Sequence, residues 1–407
     1  MSPRTVFPGT VSESGQPATL GVMGGGQLGR RFVHAAQRLG YFTAVLDSDP
    51  QSPAGRVSHH HIQTGYDDDS GLAQLASLCA AVTTEFENVP AGALQLLAAQ
   101  RTVAPGAAAV AIAQDRIQEK LHFVACADVS GVRCAPYAVI ETPAQLQAVP
   151  AELLPGILKT ARMGYDGKGQ VRVSNPAELA AAWAELKHVP CLLEKLLPLQ
   201  AECSVIVARG WDGKTVSFAP QHNAHLDGIL AVTWAYEGNM PLPLAQRAQL
   251  ATKSIADQIG YVGVLCVEFF LIDDGSEHGA LVVNEMAPRP HNSGHYTMDA
   301  CDVSQFDLQV YALAGLPLPV PRQHSPAIML NLLGDLWFDA AGRPRTPDWQ
   351  SVLALPGMHL HLYGKLDACA GRKMGHLTIT GVDVAGVTRV ARQAAQILGL
   401  HSLDVLQ

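Results

Sequence analysis

From the apolar run LGVM into a helical stretch that begins at Gln27, three glycines, Gly24, Gly26 and Gly29, stand at G-x-G-x-x-G spacing. A strand that turns through such glycines straight into a helix commits the chain to a βα unit, because residues without a Cβ allow the close backbone approach. The unit recurs. From Leu20 to about Pro105 the β-rich runs LGVM, FTAVLD, AAVTT and TVAP alternate with helical stretches such as 27–39 and 91–99, which predicts parallel strands joined by crossover helices. The first domain is expected to be Rossmann-like. Its helix N-terminus would attract a phosphate, and Asp47, at the end of the second run, stands where nicotinamide-dependent enzymes hold a ribose hydroxyl. A dinucleotide-binding oxidoreductase is one reading of the motif, and a tight turn without a ligand is another.

After a helical stretch at about 116–127 the pattern changes. GILKTA, QVRVS, CLLEKLL, ECSVIVAR, TVSFAP and ILAVTW follow one another, and several of their connections are too short for crossover helices, so antiparallel pairing is expected. A helix over about 244–259 precedes VGVLCVEFFLI and GALVVNEM, and the proline-rich GLPLPVPRQHSP leads into a small C-terminal unit from about Ala327. The fold class is thus α/β and α+β. Its expected parts are a loose extension at 1–18, a Rossmann-like domain at 19–115, a central domain at 116–320 and a small β-rich C-terminal domain at 321–407.

Bulk properties exclude several functions. A net charge of -8 without a long basic run argues against a nucleic-acid surface, which needs clustered cations. No apolar run approaches the ~20 residues that span a bilayer, and MSPRTVFPGTVSESGQP lacks the basic-then-apolar pattern of a signal peptide. A cytoplasmic protein is expected. The eight cysteines are scattered without a C-x-x-C pair, as buried thiols would be. His59, His60 and His61 are consecutive, so on a strand they point to alternate faces and do not converge on one ion.

Four stretches carry chemistry. In LKTARMGYDGKGQ, Lys159 precedes the loop Gly164, Tyr165, Asp166, Gly167, Lys168 and Gly169; mobile glycine-rich backbone of this kind can close over a phosphate and exclude water. An exposed hairpin turn with a solvated Lys168 is the plainer alternative. About thirty residues on, Glu194, Lys195, Leu196 and Leu197 end an apolar strand that could offer main-chain partners to an adenine edge, with Glu202 suited to ribose hydroxyls.

The third stretch is VGVLCVEFFLIDDGSEHGALVVNEM. Glu268 lies inside an apolar run, where an ionised carboxylate is costly unless paired or metal-bound. A hairpin centred between Ser276 and Glu277 would set Glu285 opposite Glu268, with Cβ atoms ~4.5 to 5.5 Å apart. Two like charges at that distance call for a divalent cation, and oxygen ligands favour Mg²⁺, with Asn284 as a further ligand or neighbour. The alternative is a structural ion pair between Glu268 and Arg289, and a bulge would shift the register. Next, APRPHNSGHYT supplies Arg289, His291, Asn292 and Ser293, donors for an anionic co-substrate beside the metal. Near the C-terminus LYGK and GRKMGH bring Lys365, Arg372 and Lys373 close in sequence, as a phosphate monoester pocket would.

Together, GGGQLGR, TTEFENVP, GYDGKGQ, HNAHLDGIL, NEMAPRPHNSGHYT and YGK with GRKMGH resemble the ATP-grasp superfamily, and within it the 5-(carboxyamino)imidazole ribonucleotide synthases of purine biosynthesis. The resemblance runs from about Leu20 to Gln407. It implies an ATP-grasp fold with ATP held between two subdomains by Arg116, Lys159, the loop from Gly164 to Gly169, the stretch from Glu194 to Leu197, Glu202 and His225, and Mg²⁺ on Glu268 and Glu285. It further implies that Gln27, Leu28, Lys365 and Arg372 bind the phosphate of aminoimidazole ribonucleotide, so that the glycine motif serves a substrate. The implied reaction carboxylates that amine with bicarbonate and ATP through carboxyphosphate, with Tyr165, Lys168, Arg289 and His291 holding the intermediate. Glu85 or Glu87 would orient bicarbonate or accept the amine proton. A homodimer is the expected assembly. One departure is LDACA, between YGK and GRKMGH, which lacks the Arg-Pro pair often found there.

Overall fold

The computed structural model describes residues 5–13, 15–164, 169–276, 279–400, 402, 405 and 406. Strands β1 (Thr19–Met23), β2 (Phe42–Leu46), β3 (His60–Ile62), β4 (Ala81–Thr84) and β5 (Thr102–Val103) form a parallel sheet in the spatial order β3-β2-β1-β4-β5. Central β1 is buried along its whole length, as a strand covered by helices on both faces must be. The helix Gln27–Arg38 lays Leu28, Phe32, Val33 and Ala36 against it. Composition made the N-terminal extension look loose, yet its described part is tied down. The Val6 amide donates to the Ala314 carbonyl at 2.9 Å, and the Tyr41 hydroxyl donates to the Val6 carbonyl at 2.7 Å. The histidine run serves the sheet edge, since His59 Nδ1 accepts from the Thr43 amide and His61 Nε2 lies 3.1 Å from the Asp47 carbonyl.

The helix Arg116–Ser130 starts on an Asp115 cap and stops at left-handed Gly131, a position that favours a residue without Cβ. β6 (Arg133–Cys134) follows it. β7 (Tyr137–Ile140), β8 (Gly156–Thr160), β9 (Gln170–Val173) and β10 (Cys191–Lys195) then form a small antiparallel sheet, β7-β10-β8-β9.

The remaining strands are β11 (Leu199–Arg209), β12 (Thr215–Ser217), β13 (Gln221–Leu226), β14 (Ile229–Ala235), β15 (Gly263–Ile272), β16 (Ala280–Ala287), β17 (Ala327–Leu333), β18 (Met358–Leu362) and β19 (Lys373–Thr380). They build one large sheet, β18-β19-β17-β14-β13-β11-β15-β16-β6, with β12 paired to β11. The C-terminal strands therefore do not form a sheet of their own. β17 pairs with β14 over Ala327–Leu330, which covers an edge that would otherwise present unpaired amides. The helices Arg116–Ser130 and Leu242–Gln258 pack with the large sheet in a core that includes Phe123, Ile255, Leu265 and Phe269.

Leu330 is fully buried where β17 meets β14. Leu330→Ala is expected to destabilise the chain by about 2–5 kcal/mol, read as a lower denaturant midpoint. A loss below about 0.5 kcal/mol would mean that this seam is not part of the core.

Candidate functional site

β15 and β16 set two carboxylates face to face. Their register pairs Glu268 with Glu285, and an irregularity immediately beyond, where Phe269 pairs with Val283, leaves Asn284 as the extra residue of a β-bulge. The turn-side pairs, from Ile272 with Ala280 to Phe269 with Val283, centre the hairpin on Ser276 and not half a residue beyond it as expected, so without the bulge Glu268 would face Asn284; the extra residue is what brings Glu285 opposite Glu268. Burial first, and the charge of Glu285 second, push the Glu268 carboxyl up to about 7. Arg289 does not neutralise Glu268. Its guanidinium Nε sits 2.5 Å from Glu87 Oε2, and that charge overcomes burial to hold Glu87 at about 2.

Whether these groups suit a divalent cation can be judged from the donors. Two facing carboxylates raise each other's cost, and the buried Asn284 Oδ1 has no hydrogen-bond partner. Three oxygen atoms of this kind fit Mg²⁺, which keeps waters and shares nucleotide phosphate oxygens. Among the described residues no group of three or more His, Cys, Asp and Glu side chains converges as a cage of their own.

Across from this floor, Lys159 Nζ lies 2.6 Å from Glu194 Oε2 and Lys120 Nζ lies 2.7 Å from Glu194 Oε1, all three side chains buried. Burial alone would raise the Glu194 pKa, but the two ammonium groups hold it down at about 2. Glu194 thus stands behind the lysines instead of lining the cavity. The Lys195 and Leu196 amides already donate to the carbonyls of Pro136 and Pro155, so the adenine partners expected at that strand end are not these two N–H groups. Arg116 reaches the Thr160 carbonyl at 2.9 Å and the Gly164 carbonyl at 3.2 Å, which ties it to the start of the glycine-rich loop. Tyr165, Asp166, Gly167 and Lys168 lie outside the described residues, and Gly169 keeps a left-handed φ of 70°. Glu202 and His225 come from adjacent strands, with His225 Nδ1 2.5 Å from Glu202 Oε2. Burial opposes charge on His225, yet the Glu202 hydrogen bond and the field of Glu268 raise its pKa.

Arg289, His291 and Asn292 line the same cavity; Ser293 does not. Fully buried Ser293 places its amide 3.4 Å and its hydroxyl 2.9 Å from His291 Nδ1, and Ser204 donates to that hydroxyl. An amide can only donate, so Nδ1 is an acceptor and Nε2 carries the proton, 3.2 Å from Glu268 Oε1. Burial and the Arg289 charge keep the ring neutral.

At the glycine turn the anion is already present. Glu85, which follows β4, accepts from the Gly26 amide at 2.5 Å and the Gly29 amide at 2.6 Å. A Cβ on Gly26 would sit 2.4 Å from Glu85 Oε1. Asp47 is also spent, accepting from the Gly25 amide and the Tyr66 hydroxyl. The dinucleotide reading therefore falls, because neither the pyrophosphate cradle nor the ribose acid is open. Gln27 and Leu28 instead line a cavity of about 950 Å³ that also takes in Lys159, Glu268, Glu285, Lys365 and Arg372. A smaller recess of about 310 Å³ adjoins Gln27, Lys365 and Arg372.

Sequence reasoning missed Glu119 and Lys120. Both are buried on the helix face that carries Phe123 and Cys126, so two charges on the apolar stripe were the available signal.

A small antiparallel sheet and a large sheet antiparallel except at β6, which bring buried Lys159 and the facing carboxylates to one cavity, together with a parallel N-terminal sheet define an ATP-grasp protein. Family models match a ribonucleotide synthetase preATP-grasp domain over 18–114, an ATP-grasp domain over 125–306 and a phosphoribosylaminoimidazole carboxylase C-terminal domain over 327–389. The N5-carboxyaminoimidazole ribonucleotide synthase of Brucella melitensis biotype 1 is 42% identical over 89% of this chain and 96% of its own. The enzyme of that name from Bacillus subtilis (strain 168) is 37% identical, covering 93% of each. An ADP complex of an N5-carboxyaminoimidazole ribonucleotide synthetase superposes with a TM-score of 0.86 at 36% identity, covering 97% of this chain and 98% of that one. An Aspergillus clavatus N5-carboxyaminoimidazole synthase in complex with ADP and 5-aminoimidazole ribonucleotide gives 0.81 at 31%, covering 94% and 98%. The chain belongs to the N5-carboxyaminoimidazole ribonucleotide synthase family.

Removing the internal anion should expose the helix N-terminus to an external one. Sulfate is expected to raise the unfolding temperature of Glu85→Ala by about 2 °C more than that of the unaltered chain. Equal shifts in a thermal melt would show that Glu85 does not occupy an anion site.

Proposed function

We propose that this chain is a carbon-nitrogen ligase that converts 5-aminoimidazole ribonucleotide to 5-(carboxyamino)imidazole ribonucleotide in purine biosynthesis, consuming ATP and bicarbonate and releasing ADP and phosphate. The observation that carries it is the single cavity in which Lys159, the facing Glu268 and Glu285, and the Arg289–His291 wall meet Gln27, Lys365 and Arg372. Family membership supports the same reading.

Bicarbonate is a poor electrophile, since its carbon carries delocalised negative charge and would have to expel hydroxide. Attack of a bicarbonate oxygen on the γ-phosphorus forms an O–P bond as the bond to ADP breaks, which leaves carboxyphosphate with phosphate as a leaving group. Lys159 and Arg116 would hold the nucleotide phosphates, and Glu268, Glu285 and Asn284 Oδ1 the Mg²⁺, which supplies charge neutralisation to the transferring group. Arg289 and the neutral, Nε2-protonated His291 are suited to grip the carboxyphosphate anion, together with Tyr165 and Lys168. Asn292 is placed to add a further donor, and Gln27, Leu28, Lys365 and Arg372 to receive the ribonucleotide phosphate.

Between the two acidic candidates the electrostatics favour different tasks. Glu87, held at about 2 by Arg289, is too weak a base to take the amine proton and instead orients Arg289. Burial raises the Glu85 carboxyl and the Gly29 and Gly26 amides lower it, and with both oxygens accepting from those amides Glu85 is suited to orienting the glycine turn beside the substrate. A cytoplasmic homodimer belongs to the same proposal. Exposed Leu121, Val124 and Leu250, carried by the helices Arg116–Ser130 and Leu242–Gln258, are apolar side chains that a second copy could cover.

Phosphate release from ATP is expected to require bicarbonate and to rise further with aminoimidazole ribonucleotide. Turnover indifferent to the omission of both would sink the assignment. A second outcome concerns pH. Because the Glu268 carboxyl is raised to about 7 and metal displaces its proton, Mg²⁺ affinity should climb several-fold from about pH 6 to about pH 8. Calorimetric titration with Mg²⁺ in the presence of ADP reads this, and a flat profile would remove Glu268 from the ligand set.

A further inference from the structure

Beyond Val283 the outer edge of β16 has no strand beside it among the described residues, since β6 pairs with it at Val282 and Val283. This is the segment that contains the bulge at Asn284 and the carboxylate of Glu285. Buried backbone groups left without a ladder need other partners, and two consecutive side chains of the helix Arg116–Ser130 provide them. Lys120 Nζ donates to the Asn284 carbonyl at 2.6 Å. Glu119 Oε1 accepts from the Met286 amide at 2.6 Å. Glu285 is thereby braced on both sides, and its backbone is fixed by side chains in place of an edge strand.

Lys120 has a second attachment. The same ammonium lies 2.7 Å from Glu194 Oε1, while Lys159 occupies the other oxygen of that carboxylate. One buried side chain therefore joins the large sheet, through β16, to the small sheet, through β10. Lys120 is 1% exposed and Glu119 3% exposed, so water is a poor substitute for either contact, and the bond from the Lys120 ammonium is charge-assisted and so among the stronger ones.

We propose that Glu119 and Lys120 act as one positioning element, which sets Glu285 at a fixed place relative to the Glu194-held Lys159 and so makes binding of nucleotide phosphates and of the divalent cation interdependent. The inference rests on the ATP and Mg²⁺ reading of this cavity. Neither residue touches the reacting atoms in this scheme. Lys159 serves the phosphates, Glu285 serves the cation, and the distance between them is what Lys120 maintains.

Binding of ADP to the full chain, measured by calorimetry in EDTA and again in excess Mg²⁺, gives a Mg²⁺-dependent gain in affinity. For Lys120→Met that gain should fall about tenfold or more, the size expected for one buried charged hydrogen bond, while the unfolding midpoint confirms a folded chain. A folded Lys120→Met with an undiminished gain overturns the proposal. So does an equal loss of affinity with and without Mg²⁺, which would confine Lys120 to supporting Lys159. Should Lys120→Met not fold, Glu119→Ala carries the test, because the hydrogen bond of Glu119 goes to the Met286 amide while Glu194 is paired with Lys120 and Lys159. It is expected to lose the Mg²⁺-dependent gain and keep the metal-free ADP affinity, and an unchanged gain overturns the proposal. If the unaltered chain shows no Mg²⁺-assisted binding of ADP, the nucleotide reading fails and this inference fails with it.

Discussion

Charges buried around one cavity must each find a partner, and that requirement organises the centre of this protein. Glu194 lies between two lysines, Glu87 against Arg289, Glu202 against His225, and Glu85 against two helix-terminal amides. Each pairing crosses an element boundary, so satisfying the charges also fixes the strands and helices relative to one another. Glu268 and Glu285 are the exception. They face each other across a hairpin; the imidazole of His291 at 3.2 Å from Glu268 is neutral, while Arg289 and His225 are paired with Glu87 and Glu202, and the repulsion left there is what a divalent cation would relieve. A buried ion pair adds little net stability once desolvation is counted. These pairs are better understood as fixing geometry, with stability coming from the apolar clusters behind each sheet.

The glycine turn shows how one such pairing redirects a familiar motif. Gly24, Gly26 and Gly29 do permit a close approach to a helix N-terminus, but the group that approaches is the Glu85 carboxylate. Parallel pairing of β1 with β4 puts Met23 beside Thr84, so the residue after β4 emerges against the turn. That adjacency depends on strand order, which follows from packing across the sheet and not from any local pattern. Both partners were visible in the sequence, and their contact was not.

The same distinction separates what could be read from the sequence and what could not. Helices close to those at Gln27–Arg38, Ala91–Ala98 and Leu242–Gln258 follow from local periodicity, whereas the expected facing of Glu268 with Glu285 assumed a hairpin centre half a residue from the observed one, and the bulge makes up the difference. The bulge at Asn284 was invisible, because one extra residue changes no propensity. Its position decides the outcome, since a bulge on the other side of Glu268 would have thrown the carboxylates to opposite faces. Ser293 reads as a polar loop residue suited to an anion, yet burial turns it into the group that orients His291. Lys195 and Leu196 spend their amides on Pro136 and Pro155, contacts made by chain distant in sequence. Continuity of the large sheet through β17 is likewise a long-range pairing, hidden by the proline-rich connection that looks like a boundary.

His291 illustrates why the wall and the floor of the cavity behave as one unit. With Nδ1 filled by donors from Ser293, the ring has a single proton to offer, and it points toward Glu268. A charged Glu268 strengthens that contact, and a cation on Glu268 competes for the same oxygen. Loading the carboxylate floor with metal would therefore release the Nε2–H of His291 toward the cavity, next to Arg289. The Nε2–H of His291, 3.2 Å from Glu268 Oε1 and in the same cavity as Arg289, is thus the group through which the charge state of the floor reaches the wall.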